Sequence, residues 1–323
     1  MAKVSVLMAV YNAEQWLNES LDSLIAQTEH DIQIVCVDDA STDHSLQILN
    51  DYAERDTRVE VVHLDTNVGM AKARNIALQR AHGEFVCMLD ADDWYDHNAF
   101  QEALAVFECY PLTDVVLFHF TLVYPDRVED FNSEPFDVLS GKDACIKSLT
   151  WQIHGIYMVR ATIHKRYPYD ETCRLYSDEN TTRVHYAVSK EVRCCSGVYY
   201  YRQHDNSMTH HRTILFFDKL RSKESLIRQM KSLGINVTSV TNMLWHDVID
   251  CYMFYHVHGG QLSADERRYG LSELHRVWDT IDCSMLNKKT TAKFGYRPCR
   301  WWWLFRLQEW LYFTLRGLLG KNY

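Results

Sequence analysis

Four apolar runs rich in β-branched residues open the chain, at residues 4–10, 32–37, 59–64 and 85–89. Each is short and mostly apolar, broken only by Ser5, Gln33, Glu60 and His63, the pattern of a parallel strand buried on both faces. Helical spacing fills the gaps between them. Apolar positions recur at Trp16, Leu17, Leu21, Leu24 and Ile25, then at Leu46, Ile48 and Leu49, then at Ala71, Ala73, Ile76, Ala77 and Leu78. Strand and helix therefore alternate four times in about ninety residues, which predicts a mostly parallel, doubly wound α/β sheet flanked by helices. Gly83 is expected to close the third helix in the left-handed conformation. No G-x-G-x-x-G follows the first run, so an ordinary dinucleotide fold is disfavoured.

Beyond Trp94 the pattern loosens. It predicts a helix over 97–108, a strand over 114–124, loop and short helix over 125–150, and a strand over 150–160. An aromatic, polar loop at 167–176 precedes a helix over 179–189 and a tyrosine-rich strand over 192–202. From residue 214 onward the spacing is helical, with helices near 214–233 and 239–258. The expected organisation is a domain over 1–212, with halves 1–95 and 96–212, a helical extension over 213–280, and a tail over 281–323.

The strand at 85–89 ends in Asp90-Ala91-Asp92-Asp93. Carboxylates crowded at a strand end repel one another and are costly to bury. A divalent cation, Mg²⁺ or Mn²⁺, resolves this by taking one or two of them together with water and phosphate oxygens. The plainer reading is an acidic loop that starts the next helix, with Asp93 or Asp96 as its cap. Three further strand ends should converge on the same crevice: Ala9 to Asn12, Asp38-Asp39, and Asn67-Val68-Gly69 with Lys72, Arg74 and Asn75. Tyr11 offers a flat ring to a base, and a carboxylate such as Asp39 can accept from a pyrimidine N3–H. Gly69 permits close backbone approach, and Arg74 or Lys72 can meet phosphate. Together these groups describe a nucleoside-diphosphate site.

Composition changes the picture in two places. Ten cysteines are scattered without Cys-x-x-Cys spacing, which fits reduced thiols in a cytoplasmic protein; no signal peptide is read at the N-terminus. The chain carries a formal charge of −9, yet residues 281–323 hold eight Lys or Arg against Asp282 and Glu309. Tryptophans and other aromatics are interleaved with these cations. No apolar run there is long enough to span a bilayer. The pattern fits an interfacial helix in anionic headgroups, at the cytoplasmic face of the inner membrane; the alternative is a helix packed on the protein itself. The acidic remainder argues against nucleic acid.

These motifs carry a resemblance. Residues 4–14, then Leu21-Asp22-Ser23-Leu24 and Gln27-Thr28, resemble the opening of family-2 glycosyltransferases. Val37 to Asp43, Asn67-Val68-Gly69 through Arg74-Asn75, and Gly83-Glu84-Phe85 to Asp93 match the same family in the same order, over roughly residues 1–210. Ala9 departs from the proline or small polar residue usual there. The resemblance implies a GT-A, Rossmann-like fold and a metal-dependent, inverting transferase using a nucleotide-sugar donor, with UDP-sugars the family-level expectation. It implies donor contacts at Ala9, Tyr11, Asn12, Glu14, Asp39, Gly69, Lys72, Arg74, Asp90, Ala91 and Asp92, with Asp90, Asp92 and the adjacent Asp93 at the metal. The segment from Tyr199 through Arg202 and His204 to Thr209 resembles the part that closes over the donor phosphates. Asp178, with Glu179 second, resembles the general base, although Ser177 stands where glutamate is common.

The expected reaction is transfer of a hexose or N-acetylhexosamine to a glycan or lipid-linked acceptor in surface polysaccharide or lipopolysaccharide synthesis. A sugar-phosphate nucleotidylyltransferase shares the sheet and metal, but would need a glycine- and arginine-rich loop where Tyr11-Asn12-Ala13-Glu14 stands. A non-catalytic scaffold of the same fold is the third possibility, against which Asp90, Asp92 and Asp178 all argue.

Overall fold

The structure is a computed structural model that describes residues 2–131, 136–176, 178–204 and 213–322. Its contacts divide the chain into two compact units, Met1–Glu171 with Thr181–Ser207, and Thr172–Asn180 with Met208–Tyr323.

The first unit begins β1 (Val4–Val10), α1 (Leu17–Ile25), β2 (Ile32–Asp38), α2 (Ser45–Arg55), β3 (Val59–His63), α3 (Met70–Arg80) and β4 (Phe85–Met88). It continues with β5 (Trp94–Tyr95), α4 (Ala99–Cys109), β6 (Thr113–Val123), β7 (Val128–Asp130), β8 (Val138–Ser140), α5 (Gly141–Ser148), β9 (Tyr157–Arg160) and α6 (Ala161–Arg166). Then come α7 (Asp178–Val188), whose first residues fall in the second unit, and β10 (Glu191–Arg202). The sheet order is β3-β2-β1-β4-β9-β6-β10-β5, with β7 on β6 and β8 on β10. β1 to β4 are parallel, as the alternation predicts, while β9 enters antiparallel between β4 and β6. β1 and β2 are buried almost throughout, which is why they lack a polar alternation.

Local chemistry moves several boundaries. The first helix starts at Leu17 because Asn12 is left-handed (φ 50°), and the N–H groups of Asn12, Ala13 and Glu14 bond to Ser41, Ser45 and Asp43 side chains. The predicted strand over 150–160 shrinks to β9. Leu149, Thr150 and Gln152 bond back to carbonyls of residues 145–147, prolonging the end of α5. Residues 125–150 add the short strands β7 and β8. Gly83 is not a left-handed cap. It is glycine because a Cβ there would stand 2.6 Å from the Ser5 backbone nitrogen. Asn98, not Asp93 or Asp96, precedes α4.

The second unit contains a 3₁₀ turn (Ile214–Phe217), α8 (Asp218–Ser232), α9 (Thr238–His258), α10 (Ala264–Thr280), α11 (Lys288–Thr291) and α12 (Trp302–Leu318). α10 begins with a capping box between Ser263 and Glu266. α12 is amphipathic. Its inner face sets Phe305 and Phe313 against Trp245 and Tyr252 of α9; each such phenylalanine contributes about 1.5–3 kcal/mol by leaving water. Its outer face exposes Trp303, Leu307, Trp310, Leu311 and Leu315. Among the described residues no helix is long and apolar enough to cross a membrane.

Candidate active site

The ends of β1 and β2 are tied together by their loops. Asn12 and Ala40 both adopt positive φ, 50° and 60°, a costly conformation for residues other than glycine. Asn12 Oδ1 accepts from the Thr42 N–H at 2.8 Å, and Glu14 Oε2 accepts from the His44 N–H at 2.8 Å. Tyr11, just before Asn12, is half exposed. The Asp39 carboxylate is buried, and accepts from Val68 N–H at 2.7 Å and Gly69 N–H at 2.8 Å. Asp39 thus shapes the turn that begins α3. Gly69, at φ 89° and ψ 154°, occupies a region open essentially to glycine alone. One buried oxygen of the neighbouring Asp38, Oδ1, has no hydrogen-bond partner among the described residues.

α3 presents Arg74 inward. The guanidinium is buried, ion-pairs with Asp90 and lies over the Tyr169 ring. Asn75, one residue on, holds the backbone of Tyr169 through two hydrogen bonds, at 2.8 and 2.9 Å. Lys72 points outward and is exposed.

The acidic turn is fixed by β10. Because β5 pairs with β10 (Tyr199 opposite Tyr95, Tyr200 opposite Trp94), the residues before Trp94 meet those after Tyr199. The Tyr199 hydroxyl donates to Asp93 Oδ2 at 2.6 Å, and the Arg202 N–H donates to Asp93 Oδ1 at 2.8 Å. Asp93 is fully buried, and burial, with Asp90 and Asp92 nearby, pushes its carboxyl well above the usual range. The Arg202 guanidinium lies 4.3 Å from the Trp16 ring and 4.5 Å from the Trp94 ring. It donates to the Asp92 carbonyl and ion-pairs with Glu19. The Ala91 carbonyl accepts from Ser20. Asp92 keeps a partly exposed carboxylate, whose Oδ2 lies 2.8 Å from His204 Nε2.

The pair Asp92–His204 fits a divalent cation. It supplies one hard oxygen and one imidazole nitrogen, and Mg²⁺ or Mn²⁺ needs few protein ligands when diphosphate oxygens and water complete the shell. No group of three or more His, Cys, Asp or Glu with metal-holding geometry occurs among the described residues. Asp90 is engaged by Arg74, and Asp93 by Tyr199 and Arg202.

Of the residues singled out from sequence, Ala9, Tyr11, Asn12, Glu14, Asp39, Gly69, Lys72, Arg74, Asp90, Ala91, Asp92, Asp93, Arg202 and His204 all belong to the first unit; Asp178 and Glu179 belong to the second. Ser177 and residues 205–212, including Ser207 to Thr209 of the closing segment, lie outside the described residues. Sequence reading missed Trp16, Glu19 and Ser20, which lie in the stretch read merely as a helix, and it put Tyr199 in the segment closing over the donor phosphates rather than against Asp93. Period-two alternation was the available signal for Tyr199, since it sets that ring on the opposite face from Tyr200.

The model of glycosyl transferase family 2 matches residues 5–171. An uncharacterised glycosyltransferase of Bacillus subtilis, EpsJ, is 30% identical over 218 residues, 64% of this chain and 62% of that protein. The chain spans less than two thirds of the length of the curated relatives it first matches. Among solved structures, S. aureus TarS residues 1–349 in complex with UDP-GlcNAc superposes with a TM-score of 0.75 at 19% identity, covering 99% of this chain and 92% of that one. A mannosyltransferase of Pyrobaculum calidifontis, in complex with GDP-Man and Mn²⁺, gives 0.51 at 16% identity, covering 99% and 88%. These likenesses agree on the GT-A fold that the sheet order describes, and the match over residues 5–171 takes in both the Asp39–Gly69 turn and the acidic strand end. The chain belongs to glycosyl transferase family 2.

Proposed function

We propose that this chain transfers a hexose or N-acetylhexosamine from a nucleoside-diphosphate sugar, a UDP-sugar first, to a hydroxyl of a glycan or lipid-linked glycan in cell-surface polysaccharide synthesis. The observation that carries the reading is the joining of four strand ends by side chains, those of β2, β3, β4 and β10: Asp39 to the Gly69 turn, Arg74 to Asp90, and Asp92 to His204. UDP-GlcNAc in the TarS complex supports the choice of donor.

In this reading Tyr11 stacks on the base, and the Asp39 oxygens, each able to accept a second bond, receive its N–H. Asp90 meets the ribose. Asp92 and His204 would hold a divalent cation, which would offset charge on the leaving diphosphate. Arg202 holds the turn carrying Asp92 and adds a positive field beside it. Asp178, through the resemblance, takes the proton of the acceptor hydroxyl. The hydroxyl oxygen bonds to the anomeric carbon from the face opposite the diphosphate, the bond to the diphosphate oxygen breaks, and configuration inverts. Residues 281–323 bring the enzyme to an anionic membrane surface bearing the acceptor.

The test is calorimetric titration with UDP, GDP and TDP, each with and without Mn²⁺. UDP is expected to bind most tightly, to need Mn²⁺, and to lose that requirement together with its affinity in Asp92→Ala. Equal, metal-independent binding of all three would overturn the donor assignment.

A further inference from the structure

The second unit contains both the segment that carries Asp178 and the helix α8, and the two are joined at close intervals. Asp218, Ser222 and Ser225 recur at i, i+4 and i+7 and so share one face of α8. All three bond to residues 172–180. Asp218 Oδ2 accepts from the Arg174 N–H at 3.1 Å and the Leu175 N–H at 3.3 Å, and its carbonyl receives the Cys173 thiol. Ser222 donates its hydroxyl to the Tyr176 carbonyl at 2.8 Å, while its own carbonyl accepts from Asn180 Nδ2 at 2.8 Å. Ser225 and Thr172 bring their hydroxyls within 3.2 Å. Lys223, buried beside this face, holds its ammonium 3.9 Å from Glu179.

These contacts bracket Asp178 on both sides. Tyr176 has a positive φ of 67°, which a tyrosine keeps only where its surroundings over-determine it. The Ser222 hydroxyl is bonded to that residue's carbonyl. Ser222 and Asn180 are both fully buried, so the bond between them replaces water that neither group can reach. A segment fastened only at its ends would let the first residue of α7 swing. Here it is fastened within two residues before and two after Asp178.

We propose that α8 positions the general base: Asp218 and Ser222, assisted by Lys223, fix the backbone that aims Asp178. The inference rests on Asp178 being the base, and it assigns the helical unit a part in catalysis that the family match, which ends at residue 171, does not cover. Asp218 and Ser222 are positioning residues and touch no substrate in this account.

The experiment follows UDP release by the full chain from whichever of UDP-glucose, UDP-galactose, UDP-GlcNAc and UDP-GalNAc it turns over fastest, with water in place of the acceptor hydroxyl. Ser222→Ala and Asp218→Ala should each lower kcat about tenfold while leaving the calorimetric Kd for UDP with Mn²⁺ unchanged. Asp218→Asn, which keeps a carbonyl oxygen, should recover most of the loss. In an Asp178→Asn background Ser222→Ala should cost nothing further, because the group it aims is gone. Wild-type turnover in Ser222→Ala and Asp218→Ala, with Asp178→Asn impaired, would overturn the positioning role alone. The same tenfold loss in the Asp178→Asn background would also overturn it. Wild-type turnover in Asp178→Asn would remove the base assignment and the inference with it. Thermal unfolding of each variant separates a lost fold from a lost aim.

Discussion

Tyr199 donates a hydrogen bond from its hydroxyl to Asp93 Oδ2, 2.6 Å away and 106 positions earlier in the chain. The bond joins the middle of β10 to the acidic turn after β4. The Arg202 N–H completes the grip on the other carboxylate oxygen. Asp92, whose carboxylate remains partly exposed beside His204, is therefore held by a neighbour that is itself immobilised. Removing the Tyr199 hydroxyl leaves a buried carboxylate oxygen without that donor, at a cost of about 1–3 kcal/mol. Tyr199→Phe should lower the Tm by several degrees and weaken Mn²⁺-dependent UDP binding. An unchanged Tm in a thermal scan would mean that the bond does not hold the turn.

Gly69→Ala tests the opposite side of the site. At φ 89° and ψ 154° an alanine Cβ is strained whatever space surrounds it. The two N–H groups that Asp39 receives come from Val68 and Gly69, so relieving the strain breaks the turn. A loss of about 1–3 kcal/mol is expected, together with weaker UDP binding. Chemical denaturation of the variant checks the first, calorimetry the second. Wild-type values in both would mean that this turn has room to adjust.

Glu309 gives the second unit a pH dependence of its own. It is fully buried in α12, and burial pushes its carboxyl up to about 8, against a hydrogen bond from Gln308 that favours the charged form. The folded state thus prefers the protonated acid. Its contribution is complete below the unfolded value near 4.5 and is lost as pH rises toward 8. At pH 7 the difference amounts to roughly 3 kcal/mol. Glu309→Gln keeps a polar group in place without a charge to bury. The variant should therefore unfold at a higher temperature than wild type at pH 8 and at the same temperature near pH 4. Parallel melting curves across that range would refute the assignment.

Much of the first unit was legible because its signals are local. Strands buried on both faces need runs dominated by apolar residues, and β1, β2 and β4 have them. Gly69, Asp39 and the acidic turn follow strand ends, where the chain itself dictates proximity. What escaped was long-range. Glu19 meets Arg202 across 183 positions, and Tyr199 meets Asp93 across 106; no periodicity encodes such a pairing. Gly83 was legible as a special glycine but not as to why. Its φ is ordinary, and its constraint is the Ser5 backbone, which comes close only in the folded sheet.

The outer face of α12 carries the last prediction. Trp303, Leu307, Trp310, Leu311 and Leu315 fall on one side of the helix, and all are exposed, while Phe305 and Phe313 turn inward. Arg300, Arg306, Arg316 and Lys321 occupy the same stretch. Apolar rings beside cations match the depth profile of an anionic bilayer, with acyl chains beneath phosphate. A protein-facing helix would more readily have its tryptophans covered, and these reach 63% exposure at Trp303 and 51% at Trp310. The full chain should therefore cosediment with phosphatidylglycerol vesicles, less with phosphatidylcholine vesicles, and less as salt rises. Each exposed ring or leucine that enters the interface contributes up to about 1.5–3 kcal/mol. Trp303→Ser with Trp310→Ser and Leu315→Ser should therefore reduce partitioning at least tenfold without changing the Tm, since none of the three is buried. If the triple variant cosediments as wild type does, this face does not bind the membrane. If it instead converts a dimer to a monomer, the partner of α12 is a second copy of the chain.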